Sequence, residues 1–286
     1  MSSLQFVSSL VGKPPEVSEA ARENDHRSYD PDFFPELASI EDKHFWFRTR
    51  NRIISLLAEQ ITRTWGTGYR VLEVGCGTGN VLRALEQACP RGIVVGMDLY
   101  AEGLAFARRR TSCPLVQGDL EQASFGVQFD LIGAFDVVEH LTDDLQIFRS
   151  VHNILKPGGM LLLTVPAHQS LWSYFDEVSH HCRRYDKSDL RRKLNECGFE
   201  IEYLSHFMAS IYPLLWLTRR TRFLRRRNRR SDSADEDLAR TLGELRIIPV
   251  VNGLLTFVLM QEARLVKSRL VLPFGSSIIV AAKRMR

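Results

Sequence analysis

The chain lacks paired cysteines, a membrane-spanning run and a secretory opening. Its 286 residues include five cysteines, none in a C-x-x-C pair, and an odd count does not close a disulfide framework. Two uncharged stretches, 203–218 and 247–261, each contain a proline and fall short of the roughly 18 residues of a spanning helix. The N-terminus has no basic leader segment. We therefore expect a cytoplasmic chain, with peripheral membrane contact open as an alternative.

Charge is small in sum but uneven along the chain. The formal charge is +4, yet eight of the twelve residues from 219 to 230 are arginine, and an acidic patch at 232–237 follows. Such a run is typical of a solvated loop, and it also suits a membrane surface or a polyanion. With 44% hydrophobic and 25% charged residues, the rest has the composition of a globular domain.

Short apolar runs alternate with helical periodicity through the middle of the chain. Apolar runs at 70–74, 93–97, 115–116, 131–135 and 160–165 are separated by helical segments, a pattern that predicts βαβ units and a parallel sheet. Two further strands are expected at 199–204 and 277–282. The predicted organisation is a flexible lead (1–40), an N-terminal helix (41–66), a core (67–207 with 275–286) and a helical cap inserted before the last strand (208–274).

A glycine-rich loop follows the first predicted strand. Gly75, Gly77 and Gly79 alternate there, and glycines let the backbone approach a ligand closely. A G-x-G alone is a weak signal, and Asn80 stands where the dinucleotide pattern needs a small residue. The loop has no Walker Lys-Ser/Thr pair, which excludes a P-loop.

Acidic residues follow three successive strands. Asp98, Asp119 and Asp136 each stand at a strand's carboxyl end, and these ends meet at one edge of a parallel sheet, where open α/β folds bind ligands. The spacing from Gly79 suits Asp98 to the two hydroxyls of a ribose, and Asp119 suits an adenine amino group.

Five motifs in order carry a family resemblance. They are Glu73-Val74-Gly75-Cys76-Gly77-Thr78-Gly79, Asp98, Gly118-Asp119, Phe135-Asp136-Val137-Val138-Glu139-His140 and Leu155-Lys156-Pro157-Gly158-Gly159. Over residues 68–206 the chain resembles class I S-adenosylmethionine-dependent methyltransferases. The resemblance implies a Rossmann-like, doubly wound α/β sheet of seven strands with the last strand antiparallel. It also implies S-adenosyl-L-methionine as cofactor, bound by Glu73, Gly75, Cys76, Gly77, Gly79, Asp98, Leu99, Asp119, Leu120 and Phe135.

The acceptor side is less specific. Further similarity, at residues 44–48, 171–185 and 272–276, is to a bacterial subgroup of small-molecule methyltransferases of biosynthesis. Candidate catalytic residues are Glu139, His140, His180 and His181, and candidate acceptor contacts are Phe45, Trp46, Trp172, Arg183, Arg184 and Tyr185. The pair Glu139-His140 suits a brace for its loop, a base, or metal ligands together with Asp136 and His180 or His181. No residue is assigned to a metal.

The leading hypothesis is methyl transfer to a small-molecule biosynthetic acceptor that is anionic or lipid-like. Nucleic-acid (RNA) methylation is an alternative motivated by the arginine run, but the run is one block without interleaved aromatic residues, which disfavours it. Divalent-metal-assisted O-methyl transfer is the other alternative.

Overall fold

The computed structural model describes residues 30–285 except 121, 123, 124 and 227–246, and it describes no side chains from 221 to 226. The expected flexible lead lies outside the described residues as far as residue 29. The end of the arginine run and the acidic patch lie outside them as well.

The described chain alternates helices with strands of one sheet. In chain order the elements are α1 (Phe34–Ile40), α2 (Phe45–Thr62), β1 (Arg70–Val74), α3 (Asn80–Ala88), β2 (Ile93–Asp98), α4 (Ala101–Arg110), β3 (Leu115–Gln117), β4 (Phe129–Phe135), α5 (Asp144–Ile154), β5 (Leu155–Pro166), α6 (Tyr174–Val178), α7 (Lys187–Glu196), β6 (Phe199–Phe207), α8 (Tyr212–Arg226), α9 (Pro249–Lys267) and β7 (Ser277–Arg284).

The sheet has seven strands in the order β3-β2-β1-β4-β5-β7-β6. Strands β1 to β5 pair in parallel, and β7 runs antiparallel to both β5 and β6. This confirms the predicted fold class. The change of strand order beside β1 places the carboxyl ends of β1, β2 and β4 around one crevice.

Both faces of the sheet are covered because successive side chains of a strand point to opposite sides. In β1, Val71 packs into the core under α2, α3 and α9. Its neighbour Leu72 packs into the opposite core, under α5 and α7. A parallel sheet that is buried on both faces needs such apolar strands.

Residues 31–40 correct the expectation of a flexible lead for that stretch. A short 3₁₀ turn begins at Pro31, where Asp30 accepts a hydrogen bond from the N–H of Asp32. Helix α1 follows, with Pro35 in its first turn and Phe34 buried. Proline is compatible with a helix start because the N–H groups there have no intrahelical partner, so these prolines mark beginnings rather than breaks.

The segment 208–274 contains α8 and α9 in its described part. Helix α9 packs against α2, and Asn252 ties their ends by accepting from the N–H of Phe45 and donating to the carbonyl of Lys43. The buried carboxylate of Glu262 accepts from the N–H groups of Ala209 and Ser210, just before α8. Helix α9 therefore holds the starts of both α2 and α8. No helix among the described residues combines the length and apolarity needed to cross a bilayer.

Helix α2 begins at a histidine cap, which makes its stability depend on pH. His44 accepts from the N–H of Trp46 at 3.3 Å through Nδ1, and burial lowers the pKa of His44 to about 4. Below the ordinary histidine pKa of about 6.5, His44 therefore takes up a proton in the unfolded chain but stays neutral in the folded chain. The contribution of neutral His44 to the free energy of unfolding is complete above a pH of about 6.5, and it is lost as the pH falls toward 4.

We expect His44→Asn to weaken this dependence, because asparagine keeps a cap acceptor and does not titrate. The loss of unfolding free energy between pH 7.5 and pH 4.5, measured with urea, should be smaller by about 2 kcal/mol in the variant. Equal losses in the two proteins would contradict the assignment.

Candidate active site

One cavity of about 470 Å³ lies at the carboxyl ends of β1, β2 and β4. Its wall includes residues of the glycine loop, the two N-terminal helices and α8. The volume is within the range of small-molecule sites, which also favour mostly apolar walls with a few polar groups.

The glycine loop forms one side of the cavity at the end of β1. Gly75, Gly77 and Gly79 have φ values of 68°, 46° and 76°, where residues with a Cβ are strained. A Cβ on Gly75 would lie 2.5 Å from Cγ2 of Val137. On Gly77 it would meet, within 4 Å, only the Phe34 ring, at 3.4 Å. Gly75 is therefore required by packing, whereas Gly77 presents bare backbone to the cavity.

Asp98 joins the loop to the end of β2. Its Oδ2 accepts from the N–H of Gly77 at 2.6 Å, and its Oδ1 accepts from the N–H of Tyr100 at 2.9 Å. Burial raises the pKa of Asp98, although these hydrogen bonds act to lower it. Each carboxylate oxygen has a second lone pair, so Asp98 can hold the loop and still accept from a pair of ligand hydroxyls.

Glu73 provides the test of whether the cofactor fits. It is the fourth residue of β1 and lines the cavity, and its Oε2 is buried and has no hydrogen-bond partner among the described residues. Burial raises the pKa of Glu73 well above its ordinary value. A buried carboxylate oxygen without a partner is costly, and the ammonium of an amino acid would satisfy it. The residues present therefore fit S-adenosylmethionine.

All the other residues assigned to the cofactor also line the cavity except Gly79, which is the N-cap of α3 and packs against Ala107. Phe135 is buried at the end of β4, and Leu99 is partly exposed at the rim. Gly118 donates to the carbonyl of Asp98, which brings Asp119 and Leu120 beside the end of β2.

The N-terminal helices contribute polar wall residues that the sequence reasoning missed. Arg50 of α2 donates to Asp136 Oδ2 at 2.8 Å, and its guanidinium lies over the Trp46 ring. Glu41 accepts from Thr78 of the loop and from Arg110. Burial raises the pKa of Glu41. In the sequence Arg50 stands between Arg48 and Arg52, and composition does not distinguish a buried arginine from an exposed one.

A cluster of Glu139, His140 and His181 lies on the other side of the cavity. One ligand atom of each lies within 4.8 Å of those of the other two, and the two imidazole rings are 4.7 Å apart. Both carboxylate oxygens of Glu139 are buried without a hydrogen-bond partner in the described structure. Burial, with Asp136 adding to it, raises the pKa of Glu139 well above its ordinary value.

Asp176 orients His181 from behind the cluster. It is fully buried and accepts from His181 Nδ1 at 2.9 Å, from Arg184 Nε at 2.7 Å and from the N–H of Ser173 at 2.8 Å. Burial raises the pKa of Asp176, but the bonds from His181 and Arg184 outweigh it and lower the pKa to about 2. An ionised carboxylate only accepts, so His181 Nδ1 donates to Asp176, and in the neutral imidazole this tautomer leaves the lone pair on Nε2.

The structure does not bring all the predicted acceptor residues to the cavity. Phe45, Trp46 and Arg184 line it, whereas Trp172, His180, Arg183 and Tyr185 are not among the described residues of its wall. Tyr185 is buried in the core, where it donates to Asp144 at 2.7 Å. Arg183 binds the carbonyls of Leu141 and Thr142. Alternation along a short extended segment turns Arg183 and Arg184 in opposite directions.

Comparison with known proteins decides the family. A family model described as a methyltransferase domain matches residues 43–204, more than half of the chain. The chain belongs to this methyltransferase family. Membership confirms the predicted class I S-adenosylmethionine-dependent methyltransferase and its cofactor.

Individual relatives are more distant. A protein of Mycolicibacterium smegmatis named "Probable S-adenosylmethionine-dependent methyltransferase" is 26% identical over 170 residues, 58% of this chain and 63% of its own. A ubiquinone biosynthesis O-methyltransferase of Ruegeria pomeroyi is 32% identical over 115 residues, 36% of this chain and 46% of its own. This methyltransferase thus spans about half the length of the curated relatives it matches.

Solved structures share the fold at low identity. The structure of phosphoethanolamine N-methyltransferase 2 of Haemonchus contortus, with phosphomonomethylethanolamine and S-adenosylhomocysteine, superposes with a TM-score of 0.51 at 19% identity. The match covers 82% of this chain and 53% of that one. It supports the sheet architecture.

We expect Asp98→Ala to weaken S-adenosylmethionine binding by roughly ten- to a hundred-fold, since charge-assisted hydrogen bonds of about 1.5–3 kcal/mol are lost. Calorimetry on the purified protein measures this. Asp189→Ala, at a partly exposed carboxylate on α7, is the matched control and should bind like wild type. Unchanged affinity in a folded Asp98→Ala variant would remove the ribose assignment.

Proposed function

We propose that this methyltransferase transfers the methyl group of S-adenosylmethionine to a small-molecule biosynthetic acceptor with an apolar, lipid-like body. The observation that carries the proposal is the chemistry of the cavity wall outside the assigned cofactor residues. That wall is mainly aromatic and aliphatic, with Phe45, Trp46, Phe47, Leu141, Ile147, Phe175, Ile211 and Leu215. Such a surface binds an apolar body through burial of area.

The charges of the wall favour the lipid-like acceptor over the anionic one. Three arginines line the cavity in the described structure: Arg50, Arg184 and Arg219. Arg50 is paired with Asp136 and Arg184 with Asp176. Arg219 donates to the carbonyl of Leu171 and lies 3.9 Å from Asp176. Guanidiniums whose donors already bind carboxylates and carbonyls of the protein have fewer donors left for an anion.

The chain's own residues orient the reactants and handle one proton. When bound, S-adenosylmethionine supplies an electrophilic methyl group, so the protein contributes mainly position and electrostatics. Glu73 and Asp98 hold the two ends of the cofactor's polar part. His181 Nε2, with its lone pair exposed by the bond at Nδ1, accepts the proton that an acceptor hydroxyl or amine loses. Asp176 stabilises the imidazolium that results.

A labelled-methyl screen tests the function. We expect the purified protein to transfer label from S-adenosylmethionine into the organic phase of a bacterial extract and not into its aqueous phase. Label confined to small anions of the aqueous phase would overturn the lipid-like acceptor, and no label in either phase would overturn the proposed activity. Boiled protein is the control for non-enzymatic transfer.

A second candidate is methyl transfer assisted by a divalent metal ion, which the cluster favours. Glu139, His140 and His181 offer one carboxylate and two imidazoles, a donor set suited to ions such as Zn²⁺ or Mn²⁺. The bond from His181 to Asp176 matches the carboxylate–histidine support that metal-bound imidazoles commonly have. Three protein ligands leave a position for an acceptor oxygen, which such an ion would activate.

Adjacent histidines provide a matched pair for testing the site. We expect His181→Gln to lower turnover by roughly 10²–10⁴-fold, because His181 belongs to the cluster and lines the cavity. Cofactor affinity should be unchanged. His180→Gln should behave like wild type, since His180 is outside the described cavity wall. Incorporation of label into the organic extract measures turnover. Equal effects of the two substitutions would contradict the role of His181.

Metal titration separates the two candidates. If the cluster binds an ion, Mn²⁺ or Zn²⁺ should bind by calorimetry at one site per chain, Glu139→Gln should abolish that binding, and chelation should lower turnover. Full turnover in a chelator, together with no measurable binding, would leave the proton role of His181 and remove the metal.

A further inference from the structure

Most of the large apolar side chains that the described structure exposes are gathered in one part of the chain. The residues between 208 and 274 with such side chains are Leu214, Trp216, Leu217, Ile248, Val250, Val251, Leu254, Phe257, Leu265, Leu270, Val271 and Phe274, and only Leu99 and Met285 lie elsewhere. We call this set the apolar surface. Single exposed apolar residues are ordinary, but a concentration of this kind marks an interaction site.

Helix α9 is apolar on two opposite faces. Leu259, Ala263 and Val266 are buried in the core that includes α2. Val250, Leu254 and Phe257 follow at spacings of four and three, with exposures of 83%, 62% and 67%. Residues at that spacing share one side of a helix. A helix that only covered the core would have a polar outer side. The exposed stripe of α9 is therefore suited to contact with a second apolar surface.

Helix α8 combines an apolar beginning with a cationic end. Leu214 and Leu217 are exposed in its first half. Its second half contains Arg219, Arg220, Arg222, Arg225 and Arg226 by sequence. The Arg220 guanidinium lies 5.2 Å from the Trp216 ring centroid. Tryptophan beside arginine, at the border of an apolar stretch, is typical of segments placed at a membrane–water interface.

Helix α8 borders the cavity, and α9 packs against α2, another helix that borders it. Leu215 of α8 and Ile211, just before that helix, line the cavity, while Leu214 and Leu217 of α8 are exposed. Asn252 of α9 is bonded to Phe45, which also lines the cavity. The apolar surface thus includes residues of one helix that lines the cavity and of a second helix that is bonded to a wall residue.

We propose that the apolar surface docks this protein on the face of a lipid bilayer that contains anionic lipids. The stripe on α9 and the leucines of α8 insert among the acyl chains at the interface, and the positive charge of the end of α8, including Arg220, attracts the anionic headgroups. Charge complementarity selects this occupant, because a purely apolar partner would leave the cationic half of α8 unused. Docking rests on these helices alone. The further consequence that the acceptor reaches the cavity from the bilayer rests on the proposed function.

Vesicle co-sedimentation tests the docking, with full-length protein and neither cofactor nor acceptor. We expect binding to phosphatidylcholine vesicles that contain about 30% phosphatidylglycerol, because the anionic surface attracts basic residues, and weaker binding to pure phosphatidylcholine. The double variant Leu254→Ser/Phe257→Ser should bind at least about ten-fold more weakly, because two large apolar side chains no longer enter the interface. Arg220→Gln should weaken binding about five-fold, and only to the anionic vesicles.

Met285→Ser is the matched control. Met285 is an exposed apolar residue of comparable size, after β7 and bonded through its N–H to Gly198, at the amino-terminal edge of the parallel strands. It should bind vesicles like wild type. Unchanged S-adenosylmethionine affinity shows that each variant is folded.

Three results would overturn the docking. They are no sedimentation with either vesicle, equal loss in the Met285→Ser control, and a vesicle-independent dimer that the Leu254→Ser/Phe257→Ser variant abolishes, since a second copy would then cover the surface. Labelled-methyl transfer into the organic extract separates the acceptor route from the activity itself. With the extract in vesicles the double variant should lose transfer, and with the extract in detergent micelles it should equal wild type. Transfer absent from wild type in both preparations would defeat the proposed function and leave the docking intact.

Discussion

The hydrogen bond from the Gly77 N–H to the Asp98 carboxylate, 2.6 Å long, is the contact on which the cofactor end of the site depends. It joins the loop after β1 to the end of β2, two elements that are neighbours in the sheet but about twenty residues apart in the chain. The bond requires a bare backbone N–H at a positive φ, hence glycine, and an acceptor at the last position of β2. This interaction therefore accounts for the glycine at position 77 and for the acid at the end of β2, whereas Gly75 and Gly79 are required by packing.

A second constraint closes the site from the N-terminal side. The ion pair of Arg50 with Asp136 connects α2 to the end of β4, and Arg50 also lies over the Trp46 ring. Both partners are largely shielded from water, so removing either one would leave a charge with little solvation, which typically costs 3–5 kcal/mol. Asp136 also has a φ of 56°, unusual for a residue with a side chain. Local strain and ion pairing coincide where the cofactor residues meet the Glu139 cluster.

The charge arrangement explains why the arginine-rich segments do not make the cavity cationic. Arg50 and Arg184 each face a carboxylate within the protein, and Asp176 gathers the hydrogen bonds of His181 and Arg184. These contacts fix the positions of the carboxylates and of the His181 imidazole beside the cavity. Arg220 of α8 lies over the Trp216 ring, among the exposed apolar residues of that helix. Paired charged groups thus lie inside the site, and exposed apolar side chains lie on the helices outside it.

The sequence by itself determined the α/β class, the position of the glycine loop and the acids after β2 and β3, because backbone geometry and strand order force these features to be local and periodic. It also singled out Glu139, His140 and His181, although it did not separate His181 from His180. The tertiary structure alone decided that Arg183 and Tyr185 turn away from the cavity while Arg184 lines it, and that Arg50 and Glu41 are buried wall residues. Which side of a short segment faces a cavity depends on packing between distant elements, and a one-dimensional pattern of charges does not contain that information. For the same reason only the structure revealed that the first half of α9 exposes Val250, Leu254 and Phe257 on the side opposite to the one that packs on the core.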